Sequence, residues 1–332
     1  MISVDVVITT YNRHGPLTGC LEALSRQTVA PTRVIVVDDC SEPPVERTIS
    51  AAVAGRLQLT VVRSERNGGP ATGRNAGIRE STAERILFVD DDVVATQELV
   101  EHHARWHEQG PSSVVIGPLA APRDWKPTAW NLWEARKLDM EYQKMCAGAY
   151  APTWRQFFTG NASVRRRDLV EVGGFDERFT RAEDIELGIR LAKAGCRFIF
   201  DPEAIGWHYA VRTKESWLRI PREYARFDGA IARLHPELRW SRVVAGNMAS
   251  RHPLTRAASA GLSAVHGQRI AAKGAVAVAT HLHSLGVEPA AQSLLSLAFA
   301  LEYNAANREP ANGLDVVSTA KTSFSGSSTE NA

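Results

Sequence analysis

Short apolar runs alternate with amphipathic stretches along the first part of the chain. Val4 to Thr9 is a β-branched run broken by one acid, and Leu17 to Gln27 follows with Leu17, Leu21 and Leu24 on one face of a predicted helix. Val34 to Val37 reads as a buried strand and Leu57 to Val62 as another. Gly73 to Ser81 suits a short helix after a glycine-rich turn, and Ile86 to Val89 is the next strand. Thr96 or Gln97 to Gln109 reads as a helix stopped by Gly110-Pro111, and Val114 to Gly117 as a further strand. Near-continuous apolar strands separated by helices predict an α/β fold, with a mostly parallel central sheet flanked by helices.

Beyond residue 117 the pattern is less regular. Residues 118–156 hold Trp125, Trp130, Trp133 and Trp154, with helical periodicity from about Asn131 to Met145. They read as a mobile insertion or a helix over the cleft. The tryptophans suit packing, or stacking on a sugar face. Phe157 to Val164 returns to a strand, Arg166 to Val172 suits a short helix, and Gly173-Gly174 is a sharp turn. Asp184 to Ala194 is an amphipathic helix ending at Gly195. Arg197 to Phe200 and Ala204 to His208 are strands, and Ser216 to Leu234 is helical. Residues 257–308 are alanine-rich with spaced leucines and predict two or three small helices. The stretch 318–332 is rich in Ser, Thr and Gly and reads as a disordered tail. The organisation expected is a catalytic domain over 1–240, in halves 1–117 and 118–240, then a helical C-terminal extension over 241–317 and the tail.

The 332 residues are 44% hydrophobic and 23% charged, with a formal net charge of +2, so a soluble globular protein is expected. No basic block is long enough to follow a phosphate backbone, which argues against a nucleic-acid partner. Cys20, Cys40, Cys146 and Cys196 stand singly, with no zinc-like spacing. There is no secretory pattern at the start and no apolar run long enough to span a bilayer. A cytoplasmic protein is expected, with peripheral contact at the inner face of the membrane left open.

Polar groups collect where a parallel sheet binds its ligands, beyond the carboxyl ends of strands. Thr9-Thr10-Tyr11-Asn12 follows the first strand, Asp38-Asp39 the second, and Asp90-Asp91-Asp92 a later one. Crowded carboxylates repel and resist desolvation, a cost that a divalent cation with a phosphate would relieve. The glycine-rich segment Arg66 to Gly77 lets a ligand approach its backbone, and Arg74 within it suits a phosphate or a nearby acid. It fits neither the dinucleotide fingerprint nor the P-loop. Thr180 to Leu187 opens a helix on acids, which suits either the helix dipole or a general base. His208 ends a strand and reads as a metal ligand or a core histidine.

Together these segments resemble the family 2 glycosyltransferases, an inverting group with the GT-A fold. The resemblance rests on Thr10-Tyr11-Asn12-Arg13, Val37 to Ser41, Asn67 to Pro70, Arg74 to Gly77, Val89 to Asp92, Phe158 to Ser163, Gly173 to Glu177, and Glu183 to Leu187 through Gly195. It runs from about residue 3 to 210. It implies a nucleotide-sugar donor, most often a UDP sugar, and a divalent metal, Mn2+ or Mg2+. Carried over, Asp39 resembles the acid at the nucleoside base, with Thr9 and Tyr11 beside it. Gly69 and Arg74 belong to the donor site with Asp90 and Asp91. Asp92 resembles the metal-contacting acid, His208 the late histidine that reaches the metal or diphosphate, and Asp184 the catalytic base. Cys40 stands where the family often has glycine.

The acceptor implied is a hydroxyl of a saccharide, glycolipid or natural product. The C-terminal helices are left to dimerise the protein, touch a membrane or hold the acceptor. Two other readings compete. A sugar nucleotidyltransferase would carry a glycine-rich basic segment directly after the first strand, where this chain has Thr9 to Arg13. A non-catalytic carbohydrate- or nucleotide-binding protein would have no need of Asp184 beside the aspartate cluster.

Overall fold

The computed structural model describes residues 2–110, 112–240 and 265–309. The expected tail and the stretch 241–264 lie outside the described residues. The chain divides into two compact units. Among the described residues the first takes those up to Arg123 and Leu138–Tyr209, and the second takes Asp124–Lys137, 210–240 and 265–309.

The first unit is built on β1 (Val4–Thr10), β2 (Arg33–Asp38), β3 (Leu59–Arg63), β4 (Arg85–Val89), β6 (Ser113–Ile116), β8 (Asn161–Arg165) and β9 (Arg197–Phe200). Among the described residues they form one sheet in the order β3-β2-β1-β4-β8-β6-β9. Only β8 runs against its neighbours, β4 and β6. The α/β class and mostly parallel sheet agree with the sequence reading. The inner strands are buried on both faces: in β1, Val4, Val6 and Ile8 enter one core cluster and Val7 the other. That double burial is why they read as unbroken apolar runs.

Helices α1 (His14–Leu24), α2 (Ala51–Ala54), α3 (Gly69–Glu80), α4 (Leu99–Glu108), α6 (Arg166–Glu171) and α7 (Glu183–Lys193) complete this unit. Helix α3 starts at Gly69 rather than Gly73, because Pro70 sits in its first turn and the glycine-rich segment becomes the helix N-terminus. A side chain at Gly77 would strike Val7, 2.3 Å away, so glycine lets α3 lie against β1. A second sheet, β5 (Val93–Ala95), β10 (Gly206–His208) and β7 (Leu119–Ala120), has strands of two or three residues, of which the sequence reading anticipated only β10.

The second unit holds α8 (Lys214–Leu234), α9 (Val265–Ser284) and α10 (Glu288–Arg308). The last two are longer than the small helices expected. Between Trp130 and Met145 the chain is helical, within α5 (Ala129–Cys146), whose start belongs to the second unit and whose end to the first. Trp133 stacks on Phe299 and donates to Ser296, and Trp130 donates to the carbonyl of Arg212. These two tryptophans therefore pack the second unit. Among the described residues no helix is long and apolar enough to cross a membrane.

Candidate active site

The carboxyl ends of β1, β2 and β4 lie at one edge of the sheet, because these strands are parallel neighbours. The two acids after β2 divide the work. Asp38 accepts from the backbone N–H of Ser41 and Val45 and pairs with Arg63, so it shapes the turn. Asp39 reaches out of that turn, and its two oxygens accept the N–H groups of Gly68 and Gly69, each at 2.9 Å. Sequence reading brought Asp39 and Gly69 to one site separately, and the structure joins them directly. Thr9 is half-buried beneath α3, where a side chain at Gly73 would meet its methyl, and Tyr11 is 47% exposed.

After β4 the three aspartates point different ways. Asp91 accepts from the Thr10 hydroxyl at 2.7 Å and pairs with Arg13 at 2.8 Å. Burial dominates at Asp91 and pushes it up to about 7, against the opposing pull of Arg13 and Thr10. Asp92 pairs with the other arm of Arg13 at 2.7 Å, and its second oxygen lies 3.4 Å from His208 Nε2. Burial alone would raise Asp92, but the hydrogen bonds and charges of His208 and Arg13 prevail and hold it well below the usual carboxylate range. Asp90 stays more open, and its N–H donates to the carbonyl of Gly160. A side chain at Gly160 would lie 2.7 Å from the Asp90 carboxylate, so glycine is required for this approach. Nothing in the sequence spacing of Arg13 and Thr10 shows that they hold the aspartates.

Arg74 is buried on α3 with both arms occupied. Nη1 donates to Glu183 at 2.7 Å and Nη2 to Asp90 at 3.0 Å, while the guanidinium lies 5.7 Å from the centre of the Phe175 ring. Next to it, Asn75 bonds both the N–H and the carbonyl of Phe175 and also Glu177, tying the segment after Gly174 to α3. Helix α7 follows a left-handed residue, Ala182, and opens with Glu183, Asp184 and Glu186. Glu183 belongs to Arg74 and Glu186 to Arg190. Among the described residues Asp184 has no ion pair; its carboxylate accepts only the neighbouring N–H of Ile185. Burial first, and the charge of Glu183 second, push Asp184 above the usual carboxylate range against the pull of Arg74.

One oxygen donor and one nitrogen donor face each other in Asp92 and His208. Cis ligands of a cation bound at about 2.1 Å sit about 3 Å apart, so their 3.4 Å separation needs little closure. A second grouping, His102, Asp201 and Glu203, also brings ligand atoms within 4.8 Å. There Asp201 accepts from Trp106 and bonds His102, with Arg105 alongside. Deeper still, Asn161 bonds the carbonyls of Pro118 and Ala204 and a ring nitrogen of His103. Burial lowers His103 to about 4 and His107 to about 3, so both are neutral struts.

The family described as Glycosyl transferase family 2 matches residues 5–173. A validoxylamine A glucosyltransferase from Streptomyces hygroscopicus subsp. limoneus is 32% identical over 229 residues, covering 61% of this chain and 51% of that protein. A pre-mycofactocin glycosyltransferase from Mycobacterium tuberculosis is 28% identical, covering 72% of this chain and 52% of that protein. The chain thus spans about half the length of these curated relatives. Among solved structures, a mannosyltransferase from Pyrobaculum calidifontis in complex with GDP-Man and Mn2+ superposes with a TM-score of 0.55 at 20% identity, covering 90% of this chain and 86% of that one. S. aureus TarS 1-349 in complex with UDP gives a TM-score of 0.51 at 19% identity, covering 92% and 90%. These two likenesses establish the fold.

Proposed function

Since the chain belongs to glycosyl transferase family 2, we propose that it moves a sugar from a nucleoside-diphosphate donor, a UDP-sugar, to an acceptor hydroxyl with inversion at the anomeric carbon. The observation that carries this reading is the first turn of α7. Its Glu183 and Glu186 are neutralised by arginines, while Asp184 alone keeps a carboxylate with no cation. A general base needs that freedom, because a carboxylate locked to a guanidinium gains little by taking a proton. Glycosyltransferase names among the relatives, and the GDP-Man and UDP carried by the two structures, agree with a nucleotide-sugar donor.

In this proposal exposed Tyr11 packs on the nucleoside base, with Thr9 and Asp39 beside it. The Asp39 carboxylate also holds the N–H groups of Gly68 and Gly69, so base binding and the glycine-rich loop are one unit. Asp90 lies toward the ribose and Asp91 braces the turn through Thr10 and Arg13. Asp92 and His208 would hold the divalent cation. That cation, Mn2+ or Mg2+, supplies neutralisation of the diphosphate when bound. Asp184 takes the proton of the acceptor hydroxyl as its oxygen attacks the face opposite the diphosphate. The same geometry serves inverting hydrolases, which place a base across the ring from the leaving group. The acceptor is a saccharide, glycolipid or natural product.

The deciding experiment is a titration of UDP-glucose, UDP-galactose, UDP-N-acetylglucosamine, GDP-mannose and a dTDP-sugar into the protein, with and without Mn2+. Mn2+-dependent binding of a UDP-sugar is expected. Binding of none, in folded protein, would sink the reading.

A further inference from the structure

We propose that Arg74 is a positioning residue that chooses which acid of α7 acts as the base, by neutralising Glu183 and tying it to Asp90. The inference rests on the reading of Asp184 as that base. Three elements meet at this guanidinium: α3 carries it, the turn after β4 supplies Asp90, and α7 supplies Glu183. Its side chain is 8% exposed, against 10% for Glu183. The Nη1 and Nη2 arms are occupied by carboxylates and one face by Phe175.

Glu183 and Asp184 are consecutive, so their charges are always close. An unpaired Glu183 would repel the ionised form of Asp184, and would itself compete for the acceptor proton. The helix is preceded by a left-handed residue and has no side-chain cap, so its ion pairs are the side-chain contacts that hold its first-turn acids. Arg74 lessens both difficulties with one contact. Through its other arm it fixes Glu183 relative to Asp90, and so fixes the start of the base helix relative to the donor's acids. Its action passes through Glu183, not through the reacting atoms.

The pairing predicts a rescue. Arg74→Met leaves Glu183 charged and unpaired beside Asp184, and kcat should fall about 100-fold, the cost of a small misplacement of catalytic groups. The double variant R74M/E183Q removes the stranded charge beside Asp184, with Asp90 unpaired in both variants, and should recover kcat at least about tenfold over R74M, because residues in contact do not contribute additively. Donor affinity, measured by titration with Mn2+, should change far less than kcat in both. A double variant no faster than R74M, or an affinity loss that accounts for the whole effect, overturns the proposal. Should R74M fail to fold by thermal melting, the double variant decides alone. A kcat of at least about a tenth of the parent's supports Arg74 acting through Glu183, and a lower one with donor still bound overturns it. Asp184→Asn is assayed in parallel. If it turns over near the parental rate the base reading fails and the inference with it; if it is inactive while the rescue is missing, the inference alone fails.

Discussion

The turn after β4 and the first turn of α7 each carry three carboxylates, and arginines divide them differently. In the turn every aspartate has a partner: Asp90 meets Arg74, and Asp91 and Asp92 share Arg13. In the helix two of three are paired and Asp184 is left over. A paired carboxylate holds a direction and stays ready for a cation. An unpaired one is suited to exchanging a proton, because no cation competes for its oxygens. Both places carry three carboxylates, on Asp90, Asp91 and Asp92 and on Glu183, Asp184 and Glu186, so the difference between them follows from where the arginines fall.

The sharpest way to break this comparison is Asp184→Asn. Transfer should fall about 10³-fold, measured as kcat, with donor affinity unchanged. Asp92→Asn should do the reverse, weakening Mn2+-dependent donor binding in a titration. Loss of a supporting group around a metal already costs about 10–100-fold, so loss of a ligand should cost no less. The pH dependence separates the clusters again. Asp184, raised to about 7, must be ionised to accept a proton, so kcat/KM should climb with pH up to about 7 and level off above it. Asp91 is also raised to about 7, but its proton takes no part in transfer, so Asp91→Asn should keep that limb where it is. The smallest effect expected lies outside both clusters. Cys40 sits at φ +69°, a left-handed position that favours glycine, so Cys40→Gly should stabilise the fold by about 1 kcal/mol in denaturant unfolding.

Much of this was legible. Strand tips, the glycine-rich helix start and the acidic opening of α7 show in sequence because each joins a periodic segment to an abrupt run of polar residues. The partners of those acids did not show. Arg13 lies 78 positions from Asp91, and Arg74 lies 109 from Glu183, so only the sheet order brings them together. The sheet formed by β5, β10 and β7 escaped because strands of two or three residues have no measurable period. Trp130 and Trp133 read in sequence as packing residues more than as sugar-stacking ones, but their partners, Arg212 for Trp130 and Phe299 and Ser296 for Trp133, lie too far along the chain to be read there.

The reversed direction of β8 has a consequence for engineering. Every other strand of the large sheet delivers its last residues to the ligand edge, whereas β8 delivers its first, which is how Gly160 and Asn161 arrive beside Asp90 and Pro118. At the opposite edge lie, among the described residues, turns that carry none of the proposed donor or base residues, such as Gly55 and Arg56 before β3, both exposed. A reporter domain or affinity handle spliced in there would ride on the enzyme without entering its chemistry.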